Sequence, residues 1–131
     1  LWKVSDSEGK RSGGSHGEQW QHPVITGGKI YLASFCFSLK SGQRQEYRFQ
    51  RGGRGCGAFT GSETHLFARG STVRQYSLKE SGTKGQKLSG VTRPGCWVAI
   101  IPAGGLVLIP ESSSGCRCSY ALQTSLAYRA R

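Results

Sequence analysis

The amino-acid sequence predicts an all-β chain built from about three repeated sheet units, the blades of an incomplete β-propeller, and three observations carry that expectation. Glycine supplies 20 of the 131 residues, more than twice its ordinary share, which calls for many tight turns. The apolar stretches are short, at positions 29–37, 65–68 and 97–110, and lie between clusters such as Ser12-Gly13-Gly14-Ser15, Arg51-Gly52-Gly53-Arg54-Gly55 and Ser112-Ser113-Ser114-Gly115. Short β-rich runs bounded in this way read as strands. The third observation is that the chain repeats itself.

Phe37-Ser38-Leu39-Lys40-Ser41-Gly42 is nearly duplicated by Tyr76-Ser77-Leu78-Lys79-Glu80-Ser81-Gly82. An apolar strand precedes each copy: Ile30-Tyr31-Leu32-Ala33 for the first, Leu66-Phe67-Ala68 for the second. Leu106-Val107-Leu108-Ile109 is a third such strand, opened by Gly104-Gly105 as Gly27-Gly28 opens the first. Upstream of the three strands stand Trp20, Cys56 and Cys96 in matching positions, the last two as Gly55-Cys56 and Gly95-Cys96. The unit is therefore a strand, a glycine turn, a second strand, a loop and a third strand ending in a Ser-Gly turn. Its period of roughly 36 to 40 residues belongs to propeller blades rather than to a sandwich. Four-stranded antiparallel blades are expected at about 1–47, 48–87 and 88–131. The third unit departs from the others, with a longer loop from Pro110 to Cys118 and no Ser-Gly turn, as a terminal repeat does.

Composition narrows the classes. Net charge is +11, from 18 Lys and Arg against 7 acids, which favours acidic partners or a basic solvated surface. Methionine and asparagine are absent, so no N-x-[ST] glycosylation site exists. No segment reaches the roughly 18 apolar residues of a membrane span. Leu1-Trp2-Lys3-Val4 reads as the middle of a strand, and the expectation is that the chain was cut from a longer precursor.

The string Tyr-Ser-Leu-Lys-x-Ser-Gly after a Gly-headed apolar strand resembles the repeat of PQQ-binding-like (quinoprotein-type) β-propellers. Leu1-Trp2-Lys3-Val4 with Gly9-Lys10 resembles the same repeat, in which a Trp docks between blades. Arg93-Pro94-Gly95-Cys96-Trp97, the run from Ile101-Pro102-Ala103 to Pro110-Glu111, Gly115-Cys116-x-Cys118-x-Tyr120 and Gln123-Thr124-Ser125 are similar to the C-terminal end of large exported bacterial members. The closer match covers about residues 50–128. The resemblance implies a closed ring of about six to eight blades, of which this chain holds about three. Three blades leave open edges, which soluble proteins avoid, so the remaining blades or other subunits are the expected partners.

The resemblance also implies export, and an oxidising compartment makes disulfides the default use of cysteine. Cys56, Cys96, Cys116 and Cys118 are the disulfide candidates, and four cysteines allow three pairings. A Cys116–Cys118 bond is disfavoured by its tight ring, which favours pairing each with Cys56 or Cys96. Cys36 is the odd one, expected buried or free. A four-thiolate metal site is the sharper alternative, but only one close pair exists and it is Cys-x-Cys rather than Cys-x-x-Cys.

A quinoprotein dehydrogenase needs a stacked quinone, a Ca2+ held by acidic and amide oxygens, and a catalytic Asp. This chain has Asp6 alone among aspartates and no Asn, and its cysteines are never adjacent. Trp97 reads as core. His16, His22 and His65, like Glu18, Glu63 and Glu111, are too scattered to argue a triad, a zinc triplet or an acid pair. No catalytic, cofactor-binding or metal residue is assigned, and PQQ with Ca2+ is expected only in a complete propeller. Arg48-Phe49-Gln50-Arg51-Gly52-Gly53-Arg54-Gly55 resembles an RGG-type segment, which makes Arg48, Arg51 and Arg54 polyanion-binding candidates. Three functions follow in order: an extracytoplasmic scaffold or interaction segment in the periplasm or outside the cell, the non-catalytic end of a PQQ-dependent alcohol or sugar dehydrogenase, and a polyanion or nucleic-acid binder.

Overall fold

In the computed structural model the structure describes residues 1–3, 22–32, 35–50, 57–82, 84–95, 100–111 and 122–129. These contain strands and no helix, hence no described helix long and apolar enough to cross a membrane. The strands form three antiparallel sheets and one short parallel pair.

Sheet 1 is an up-and-down meander of β1 (Val24–Thr26), β2 (Lys29–Leu32), β3 (Phe35–Ser38) and β4 (Arg44–Arg48). Gly27 and Gly28 close its first hairpin at φ +55° and +70°, the two left-handed residues a two-residue hairpin turn requires. Sheet 2 repeats the meander with β5 (Thr60–Gly61), β6 (His65–Gly70), β7 (Thr72–Ser77) and β8 (Gln86–Lys87). Two further short strands, β9 (Thr92–Arg93) and β12 (Leu122–Gln123), pair in parallel, and sheet 3 joins β10 (Ile101–Ala103), β11 (Leu106–Ile109) and β13 (Leu126–Arg129).

The internal repeat lands on equivalent places. Ile30, Leu66 and Leu106 all lie in the second strand of their sheets, and Phe37-Ser38 and Tyr76-Ser77 both end a third strand. Gly42 and Gly82, the glycines of the two Ser-Gly turns, have matching φ of +71° and +79°. Gly104-Gly105, at +58° and +74°, copies Gly27-Gly28. Leu1–Lys3, read as strand from the sequence, pairs with no described strand.

The three sheets stack through their faces. Consecutive side chains of a strand point to opposite sides, and in β6 both sides carry buried apolar groups, with buried Arg69 beside Phe67 on one of them. Leu66 and Ala68 enter a cluster with Val24, Tyr31, Cys36, Tyr47, Phe49, Phe59 and Tyr76, which joins sheet 2 to sheet 1. Phe67, with Val73 of β7, enters a second cluster with Ile100 and Ile109, flanked by Val107, Leu126 and Tyr128, which joins sheet 2 to sheet 3. The first strands converge, β1 and β10 both lying against β5. Gly61 makes that approach possible, since a Cβ there would stand 2.5 Å from Val24 Cγ1.

Edges join sheets as well as faces. The Tyr47 hydroxyl on β4 donates to the Ser77 carbonyl at 2.7 Å, the Arg48 amide to Ser81 Oγ at 2.8 Å, and the Gly82 amide to the Arg48 carbonyl at 2.6 Å. Aromatic rings continue this seam: Tyr31 meets Tyr47 edge-on at 5.5 Å, and Phe49 meets Phe59 at 4.8 Å and Tyr76 at 5.5 Å. Each such pair adds roughly 0.5–1.5 kcal/mol to its area burial.

Burial pushes the Tyr47 phenol up to about 12, with Tyr31, Cys36 and Tyr76 adding to the effect. The folded state therefore holds its proton where the unfolded chain has lost it. That contribution is complete below the ordinary phenol value of 10.0 and disappears as pH rises through about 12. Tyr47→Phe is expected to cost about 1–2 kcal/mol by orphaning the Ser77 carbonyl and to flatten the loss of stability above pH 10. Urea unfolding followed at several pH values tests both; an unchanged slope contradicts the assignment.

Candidate functional site

Most of the residues proposed from sequence lie outside the described residues. Arg48 lies exposed on β4, and its backbone is spent on the Ser81–Gly82 turn. Arg51 and Arg54 lie outside the described residues, as do Cys56, Cys96, Cys116 and Cys118. Asp6, His16, Glu18, Trp20 and Trp97 lie outside them too. His22 is exposed just before β1, and Glu63 and Glu111 are exposed, one between β5 and β6 and the other after β11. Among the described residues, no group of three or more His, Cys, Asp or Glu side chains could hold a metal ion.

Cys36 is buried and free, as expected. The β2–β3 register sets it directly opposite Tyr31, with which its side chain shares a hydrogen bond. Burial pushes the Cys36 thiol up, against the weaker pull of Lys29 and of the Tyr31 hydrogen bond. Tyr31 is raised as well, again first by burial. These groups stay protonated and neutral near pH 7, which suits a packed interior and not a nucleophile.

A groove of about 630 Å³ opens between sheets 2 and 3. Phe67, Val107 and Tyr128 give it an apolar side, and His65, Gln75 and Arg129 give it polar groups. The His65 ring shares a 2.9 Å hydrogen bond with Thr64 Oγ1, and the Gln75 amide donates to Gln86 Oε1 at 2.8 Å. A smaller hollow of about 250 Å³ adjoins it through His65 and Gln75. The sequence separates these residues by up to two repeat units, so no local motif could reveal the groove. The His65 ring takes Thr64 Oγ1 as its hydrogen-bond partner, while Ser62 lines the groove beside it and Ser77 stands opposite it in the β6–β7 register.

Among the described residues, apolar side chains also lie on the outward faces at both ends of the stack. In sheet 1, Ile25 is opposite Ile30, Ile30 opposite Phe37, and Leu32 opposite Phe35, so all five share the face turned away from sheet 2. The Arg44 guanidinium covers part of that face, 4.0 Å from the centre of the Phe35 ring. In sheet 3, Ile101 opposite Leu108 and Ala103 opposite Leu106 form the corresponding outer face. Ile25 is 58% exposed, Ile101 45% and Leu106 36%. The signal for this was in the sequence: the runs at 29–32 and 35–37 do not alternate apolar with polar, and strands covered on both faces read that way.

No family model, curated protein or solved structure matches the chain.

Since its burial shields it and holds its thiol protonated, Cys36 should resist a maleimide at pH 7 in the folded protein and react once denaturant is added. Peptide mapping reads the site directly, and rapid native labelling contradicts the packing described.

Proposed function

We propose that this chain is a non-catalytic scaffold segment of a β-propeller, three successive blades whose terminal faces receive the remaining blades or other subunits of a larger assembly. The observation that carries this reading is the middle sheet. β6 is buried on both faces by neighbouring sheets, while the outward faces of sheets 1 and 3 carry the exposed Ile25 and the exposed Ile101 and Leu106. A stack in which each sheet needs two neighbours is completed by more sheets.

The repeat register supports the same reading, because the second-strand and Ser-Gly positions recur at equal places in successive sheets. Two arginines outside the polyanion candidates Arg48, Arg51 and Arg54 have structural partners. Arg74 donates to the Gly70, Lys84 and Gly85 carbonyls, and Arg44 lies over Phe35. The quinoprotein-type resemblance of the repeat and the five cysteines favour an oxidising site of action, the periplasm or the cell exterior.

Hydroxyl-radical footprinting of the protein in its native extract tests the reading. Ile25, Phe37 and Ile101 are expected to be protected to the level of buried Val73. Labelling of all three at the level of Leu122, which is 51% exposed, contradicts it.

A further inference from the structure

We infer that the groove between sheets 2 and 3 is a binding site for a small phenolic molecule, whose ring takes the kind of place that the chain's own aromatic side chains take between sheets 1 and 2. Such a site goes beyond the scaffold reading and stands without it, since both walls of the groove belong to sheets already packed together.

The two inter-sheet spaces are built on matching rows. In sheet 1 the registered row that faces sheet 2 runs Val24, Tyr31, Cys36 and Gln45. In sheet 2 the row that faces sheet 3 runs Thr60, Phe67, Gln75 and Gln86. Two residues beyond Gln45 stands Tyr47, and two further on stands Phe49. Both are buried, and their rings close the first space, Tyr47 against Tyr31 and Phe49 against Phe59 and Tyr76. The same steps from Gln86 lead to Leu88 and Gly90. Leu88 is half-buried and lines the groove. Gly90 is exposed, and a Cβ there would meet nothing within 4 Å. Two rings that fill the first space thus have no counterpart in the second, where about 630 Å³ stands open.

The walls nevertheless keep their aromatic character. Phe67 holds the place of Tyr31, each opposite the first strand of its sheet. Tyr128 of sheet 3 flanks the cluster shared with sheet 2, as Tyr76 of sheet 2 enters the one shared with sheet 1. A flat ring between such walls gains edge-on or offset-stacked contacts that an aliphatic body of equal size does not.

The polar groups of the groove suit a hydroxyl. His65 Nδ1 is engaged by Thr64 Oγ1, which leaves Nε2 to a ligand. The Gln75 amide nitrogen donates to Gln86 Oε1, which leaves Gln75 Oε1 as an acceptor. In the first space the Tyr47 hydroxyl donates to the Ser77 carbonyl; in the second, a ligand hydroxyl has Gln75 and His65 to bond. The volume falls within the range of about 300–1,000 Å³ typical of small-molecule sites, which combine apolar walls with a few convergent polar groups. Further sheets are the wrong occupant, because sheets 2 and 3 already bound this space on both sides, and stacked sheets stand only about 10 Å apart.

NMR titration of the native protein with p-cresol is expected to give saturable shifts at Phe67, Gln75 and Val107, with nuclear Overhauser contacts from the ligand methyl to Val107. Cyclohexanol, which has the hydroxyl without the aromatic ring, should bind about tenfold more weakly. Leu88→Tyr, which supplies at the second space the ring that Tyr47 supplies at the first, should abolish the shifts with the β6 and β7 amide signals in place. Gln75→Leu should weaken p-cresol about tenfold and leave toluene unchanged. Absence of saturable shifts at the groove, as a space already filled by chain would give, overturns the proposal. Overhauser contacts that place p-cresol elsewhere overturn it too, as does undiminished binding by folded Leu88→Tyr. If that variant does not fold, the ligand contacts and Gln75→Leu decide. The footprint at Ile25 and Ile101 reads the scaffold function separately and leaves this result untouched.

Discussion

A strand with apolar side chains at consecutive positions has no face to give to water, and β6 is such a strand. Leu66 and Ala68 point one way, Phe67 the other, and all are buried. Fully burying side chains of this kind contributes about 1.5–3 kcal/mol each for the larger ones. That gain exists only while a sheet lies on either side of sheet 2. The order of the stack follows from this, as does the convergence of β1, β5 and β10, and so does the use of glycine at position 61, where Val24 presses against the backbone.

Face packing alone would let the sheets slide, and the edge contacts fix how they sit. The Tyr47 hydroxyl and the Arg48 backbone each reach one turn of the next sheet, so the Ser-Gly turn serves both to reverse the chain and to receive its neighbour. Tyr76 uses the next loop in a related way: a Cβ on Gly85 would stand 2.5 Å from its ring. At Gly85 a positive φ and a close ring contact coincide, which explains why glycine suits. The functional reading grows from the same physics, because an apolar outer face on a terminal sheet is the unsatisfied half of a contact already made twice.

Much of the fold was legible because the repeat is carried by residues with strict conformational demands. Gly27-Gly28, Gly104-Gly105, Gly42 and Gly82 mark turns that few other residues tolerate, and the apolar runs after the two Gly-Gly pairs mark second strands. Elements without such demands were not legible. β8 is the polar pair Gln86–Lys87, and β5 is Thr60–Gly61; both are strands only because a neighbouring strand pairs with them. The parallel pairing of Leu122 with Thr92 joins distant segments and leaves no periodic trace. The groove was hidden for the same reason, its walls coming from different repeats. The docking role of Tyr47 was hidden too, since Glu46-Tyr47-Arg48 reads as an ordinary half-exposed strand.

Native-state hydrogen exchange tests the central claim, that sheet 2 is the most deeply supported element because, among the described residues, it alone has another sheet packed on each face. The account predicts that amides of β6 and β7 exchange last, at rates approaching global unfolding, with those of β2 and β11 opening earlier. Slowest exchange in sheet 1 or sheet 3, with β6 among the first to open, would contradict it.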